Sequence, residues 1–211
     1  AVNYPYGGRN FVRGYVVPTN PKTAMQDAIR ALFAQVSVAF SNIDGTERAS
    51  WDTMNSNHLK TDADGKPYKA GAKGWYTGVN TLRLMAGQTI NDTAPAWAYE
   101  VGPYDIDLIQ NDDTNLEVQA TGIAAGKKYL LKISEALPGL QRQPRSFVLP
   151  SSTLSANFAT ASTGGVTCWQ IPVADLTKSW PAGSRVVVLI QGVSDGYIPG
   201  GLFAKEFTIG S

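Results

Sequence analysis

The stretch "FVRGYVVPTNPKTAMQDAIRALF", residues 11–33, changes its hydrophobic period midway. Phe11, Arg13, Tyr15 and Val17 alternate with Val12, Gly14 and Val16, the period-2 spacing of a strand. Pro18 closes that run. Asn20 and Pro21 then supply an N-cap and a proline at the first helical position, where a missing N–H costs nothing. Thr23 and Gln26 offer a second cap with capping-box spacing. Met25, Ile29, Leu32, Phe33, Val36 and Phe40 follow on one helical face, opposite Lys22, Asp27, Arg30 and Ser37. The chain is therefore expected to open with an extended arm, residues 1–19, that runs straight into an amphipathic helix. The seventy or so residues downstream read as helix and polar loop. The arm's backbone is accordingly expected to pair with the distant C-terminal part, with another subunit or with water.

Outward from that stretch, Asp44 and Glu47 have the spacing that opens a second helix, which carries Ala49, Trp51 and Met54 and ends by Asn57. A third runs from about Trp75 to Ala86 with Val79, Leu82 and Met85 inward, and Gly87 is its stop. From residue 91 the period becomes two. Leu116, Val118 and Ala120 alternate, as do Tyr129, Leu131 and Ile133, then Trp169, Ile171 and Val173, then Val186, Val188 and Ile190. Phe147 with Leu149 and Phe207 with Ile209 add shorter strands. The predicted class is α+β: the arm (1–19), a small helical module (20–90) and an antiparallel β-sandwich (91–211) of immunoglobulin or fibronectin III type.

With 43% hydrophobic and 17% charged residues in 211, the chain can bury a core. A formal net charge of +1 argues against general nucleic-acid binding, which needs a strongly basic face. No apolar run is long enough to span a membrane, and the first ten residues lack the basic-then-apolar order of a signal peptide. The single cysteine, Cys168, excludes an internal disulfide framework. Charges are segregated. Residues 91–125 hold seven acids and no base, between two basic blocks, which suits pairing with a partner surface or with the chain's own flanks.

No catalytic constellation emerges. His58 is the only histidine, without a nucleophile elbow, and its place at a helix end suits a solvated or capping role. Cys168 sits in a strand pattern as a small hydrophobe. Asp62, Asp64 and Gly65 resemble the start of a calcium loop but lack its third acidic ligand and closing Glu, so an Asp-Gly turn is expected. Neither cofactor nor metal is expected. Asp105, Asp107, Asp112 and Asp113 read as acidic loop tips that face a partner. Arg9, Phe11, Arg13, Tyr15 and Val17 form the second candidate contact, since Tyr and Arg are favoured at interfaces.

Gly8, Arg9, Phe11, Val12, Arg13, Tyr15, Val16, Val17, Pro18, Asn20, Pro21, Thr23, Gln26, Arg30 and Phe33 make a particular string. It is continued by ERASW (residues 47–51) and GKPYKAGAKGWYTGVN (residues 65–80). Over residues 8–86 this resembles a family of uncharacterised bacteriophage and prophage structural proteins with an NPxTxxQ helix and a β-rich tail. The chain departs from that pattern at residues 76–79, where the usual Asn and Phe are absent. The resemblance implies a non-enzymatic virion component, such as a capsid decoration or cement protein. Its partners would be the major capsid protein, tail or vertex proteins, or a second copy, with neither nucleic acid nor membrane among them. The alternative reading is a carbohydrate-binding or host-adhesion module of a phage tail, with Trp97, Tyr99, Tyr104 or Tyr197 as a stacking platform.

Overall fold

Residues 2–6, 9–13, 24–61, 66–98, 103, 105–111, 115–122, 125–137, 147–160 and 167–209 are described by a computed structural model, with backbone alone at 2–6, 9–13, 61, 109–111 and 167–168. The first element corrects the expected arm. β1 (Val2–Tyr6) and β2 (Arg9–Arg13) pair antiparallel, Val2 opposite Arg13 and Tyr6 opposite Arg9. The complementary strand lies upstream of Phe11, not downstream. Gly7 and Gly8 separate the two strands, and a Gly-Gly pair between strand-forming runs is itself a hairpin signal. Tyr15, Val17 and the Asn20 and Pro21 cap lie outside the described residues.

Three helices follow: α1 (Ala24–Asn42), α2 (Gly45–Asn57) and α3 (Ala72–Met85). Two short strands, β3 (Lys60–Thr61) and β4 (Pro67–Tyr68), pair between α2 and α3. The capping box forms as expected. Glu47 N–H donates to Asp44 Oδ1 at 2.7 Å, and Asp44 N–H donates back to Glu47 Oε2 at 2.9 Å. α3 ends where Gly87 takes a φ of +75°, so that Gly87 and Gln88 N–H close onto the Leu84 and Arg83 carbonyls. Trp51, Tyr76 and Val79 are fully buried between the helices, and Trp51 meets Tyr76 edge-on with ring centroids 5.2 Å apart. α1 is less covered than its apolar face predicts. Val36 is buried, but Phe33 stays 46% exposed because the α3 contact takes in only part of that stripe.

The β part comprises β5 (Asp105–Asn111), β6 (Asn115–Thr121), β7 (Lys128–Ser134), β8 (Phe147–Val148), β9 (Phe158–Thr160), β10 (Thr167–Pro172), β11 (Arg185–Val193) and β12 (Pro199–Thr208). One antiparallel sheet runs β10-β6-β5 and the other β12-β11-β7. β8 and β9 both pair with β7, at opposite ends of it. Alternate residues point inward. Leu116, Val118, Trp169 and Ile171 from the first sheet meet Leu131, Ile133, Val188 and Ile190 from the second in one buried cluster. Each such side chain contributes about 1.5–3 kcal/mol on burial. Val173 departs from the expected alternation: the strand stops at Pro172, and Val173 is 40% exposed in a 3-10 turn.

The outer face of β7 and β11 positions the site. Leu130 and Val193, with Tyr197 and Ile198 from the β11–β12 turn, belong to the same buried cluster as Trp51, Trp75 and Val79. The helices thus share their core with one end of the sheet. The segment after α3 is strapped over α2 and α3: Asn91 is held by Asn80, and Ala94 N–H donates to Ser50 Oγ at 2.9 Å. Pro95 then packs at Gly196, where a Cβ would lie 2.6 Å from the proline Cβ. Only glycine fits there.

Candidate functional site

The helices cover only part of the outer sheet face. Beyond Leu130 on β7, the next outward residue is Lys132, and beside it on β11 lies Leu189. Leu202 stands next to Gln191 on β12, and Phe147 flanks Ser134 on β8. The first turns of α1 overhang these positions with Met25 and Ile29, leaving a groove of about 820 Å³. That volume lies within the range of ordinary ligand sites. Leu202 is 61% exposed and Phe147 37%, large apolar side chains that a finished face would cover.

Polar groups in the groove are few. Lys178 Nζ lies 2.6 Å from Glu135 Oε1, a pair roughly half exposed and therefore worth little. Lys132 differs. Its ammonium donates to Gln191 Oε1 at 3.2 Å, and burial holds it below the ordinary lysine range.

A second feature surrounds His58, the C-cap of α2. Its ring stacks on Trp97, centroids 3.7 Å apart and planes at 7°, while Trp75 meets Trp97 edge-on at 5.6 Å. Lys60 Nζ lies 4.6 Å from the Trp75 centroid and donates to the Gly74 carbonyl at 3.0 Å. These contacts pin the strap to the helices. Tyr197 offers no stacking platform: it is 4% exposed, and Arg83 and Lys128 lie 5.3 and 4.7 Å from its ring centroid. Tyr99 and Tyr104 lie outside the described residues.

Arg9, Phe11 and Arg13 all fall on β2. Asp105 and Asp107 are on a strand, not on a loop tip, because Ile106 between them turns inward and both carboxyls turn out. They meet Lys205 of β12 at 2.8 and 3.3 Å, and that hydrogen bond holds the Asp105 carboxyl below its usual range. The acidic block is thus partly engaged with the chain's own edge strand. Asp112, Asp113 and residues 62–65 lie outside the described residues, as does the Cys168 side chain. Among the described residues, no group of three or more His, Cys, Asp or Glu comes together as a metal would require. No described helix is long and apolar enough to cross a membrane. The sequence carries one local signal of the groove: Lys132 interrupts the strand run KYLLKIS at an outward position. No protein-family model and no curated protein matches the chain.

Proposed function

We propose that this is a non-enzymatic structural protein of a bacteriophage particle, acting as a capsid decoration or cement protein that attaches through its N-terminal part. The observation that carries this reading is the hairpin of β1 and β2, whose strands, among the described residues, pair with each other alone. A two-stranded hairpin is marginal in water and needs a surface to cover it. Phe33 and Val38, 46% and 63% exposed on α1, add apolar surface to the same N-terminal region. The string over residues 8–86 supports the virion context. The sheet pairing supports an immunoglobulin or fibronectin III-like sandwich. β5, β6 and β10 face β7, β11 and β12, as the first, second and fifth main strands of such domains face the third, sixth and seventh.

The test is deletion of residues 1–17. The monomer's Tm should stay nearly unchanged while the copy number in purified particles, measured by mass spectrometry, falls to background. A truncated chain that unfolds as a monomer, or that enters particles at full copy number, refutes attachment through the hairpin.

A further inference from the structure

We infer that the groove under α1 is the docking site for a partner protein's extended segment, mostly apolar and carrying one carboxylate that sits on Lys132. The inference rests on the reading of the chain as an assembly protein and names where such a partner would seat. The floor crosses four strands: Phe147, Lys132, Leu189 and Leu202 come from β8, β7, β11 and β12. With strands about 4.8 Å apart, the trough is roughly 15 Å across, or four to five residues of extended chain at about 3.3 Å each.

Charge selects the occupant. Of the two cations among the described residues lining the groove, Lys178 is already paired with Glu135. Lys132 has, among the described residues, only the neutral Gln191 amide. A partly buried ammonium bonded to a neutral amide is the situation that a carboxylate relieves, through a charge-assisted hydrogen bond. The chain's own N-terminal segment does not answer this need. Residues 1–26 contain no Asp or Glu and carry Arg9, Arg13 and Lys22, so neither this copy's arm nor a neighbour's complements the groove. A fatty acid fits poorly as well, because Lys132 and Gln191 interrupt the apolar track between Phe147 and Leu202. An extended peptide, with side chains alternating in direction, can place apolar groups on Leu202 and Phe147 and a carboxylate between them.

The experiment uses the purified full-length chain on an array of random short peptides, with the best binders titrated by calorimetry and sodium dodecanoate as a separate probe. Bound peptides should carry one Asp or Glu flanked by apolar residues at alternate positions. Lys132→Met should weaken them about tenfold or more, as loss of a charged hydrogen bond implies. Peptides with that carboxylate changed to an amide should no longer sense the substitution. Leu202→Ser, at an exposed position, should weaken binding with an unchanged circular dichroism spectrum, and it serves as the second variant should Lys132→Met disturb the fold. Peptides without a carboxylate preference, binding indifferent to both variants, or saturable dodecanoate binding with no peptide bound would each overturn the inference. Because binding is read on isolated protein, its failure is separable from that of the virion role. A chain missing from particles that still binds such peptides refutes the virion role alone.

Discussion

Asn80 and Asn91 are joined by two hydrogen bonds that use both ends of one side-chain amide. Asn80 Nδ2 donates to the Asn91 carbonyl at 3.0 Å, and Asn91 N–H donates to Asn80 Oδ1 at 2.7 Å. Asn80 is fully buried on α3 and Asn91 partly so, which limits water as a substitute for these bonds. Only an amide offers a donor and an acceptor at that spacing. Asn80→Asp keeps the shape but turns the donor into a second acceptor, and Asn80→Leu removes both bonds. Asn80→Leu should destabilise the chain by about 2–4 kcal/mol, counting two unsatisfied backbone groups, and Asn80→Asp by about 1–3 kcal/mol, since only the Asn91 carbonyl then loses its donor. Urea unfolding followed by tryptophan fluorescence measures it, and a loss below about 0.5 kcal/mol, the range of neutral surface changes, would show that the strap is held elsewhere.

Tyr76 adds a pH-dependent contribution to the same strap. Its hydroxyl donates to Asp92 Oδ1 at 3.0 Å, and burial, reinforced by that bond and by the Asp92 charge, raises the phenol well above its ordinary 10.0. The folded state therefore holds a proton that the unfolded chain releases from about pH 10 upward, the ordinary range of a free tyrosine. With more protons bound in the native state, stability must fall as pH rises through that window. Tyr76→Phe should flatten this alkaline decline and cost about 0.5–1.5 kcal/mol near neutral pH, the net worth of one hydrogen bond. Unfolding curves at neutral pH and above pH 10 give the comparison. Parallel declines in both proteins would assign the alkaline loss to other groups.

What the sequence made legible was local. Asp44 and Glu47 are three residues apart, and their capping box needs no distant information. The inward alternation of β6, β7 and β11 was readable because one face of each meets a single core. The partner of β2 lies upstream of it in residues 2–6, where Pro5 and the Tyr-rich composition mask the strand pattern and the Gly7-Gly8 pair is the one local signal of a hairpin. Asp105 and Asp107 carry a charge that suggests a loop, but Ile106 and Leu108 at the intervening positions give the alternation of an edge strand. Apart from Lys132, the groove had no local signature. It exists because α1 lands over the end of the sheet that carries Lys132 and Leu189, a contact set by packing between segments about a hundred residues apart. The burial of Tyr197 depends likewise on α3 and β7 arriving beside it.

Gly196 and Pro95 test how closely the strap and the sheet must approach. A Cβ on Gly196 would stand 2.6 Å from the Pro95 Cβ and 3.0 Å from its Cγ, and a proline ring has no flexible end to swing aside. Gly196→Ala should therefore cost about 1–3 kcal/mol, the usual range for overpacking. Pro95→Gly removes the atoms in the way, so the double variant should be less destabilised than the sum of the two single ones. Strict additivity in denaturant titrations would mean that the two segments move apart freely.

Lys132 offers a test in which loss of a charge makes the protein more stable. Its ammonium is desolvated in the folded chain, with the Gln191 amide as its described partner, so the charged form is disfavoured and its folded pKa lies below the ordinary 10.5. In the unfolded chain the same lysine is hydrated and holds its proton throughout the neutral range. The unfolded state thus binds more protons than the native one in the window just below pH 10.5, and stability rises with pH there. At neutral pH, below that window, the desolvation cost is carried in full. Lys132→Met, which keeps the aliphatic length and drops the charge, should raise Tm at pH 7. Its advantage should shrink as pH climbs towards 10.5, because the native lysine then sheds its proton and the two chains become alike in charge at this position. Melting curves of both chains at neutral and alkaline pH measure the effect. A Tm lowered by the substitution at pH 7, or a gap that does not narrow with rising pH, would mean that the lysine is well solvated or already paired in the free protein, and the groove would lose the unmatched charge that selects a carboxylate.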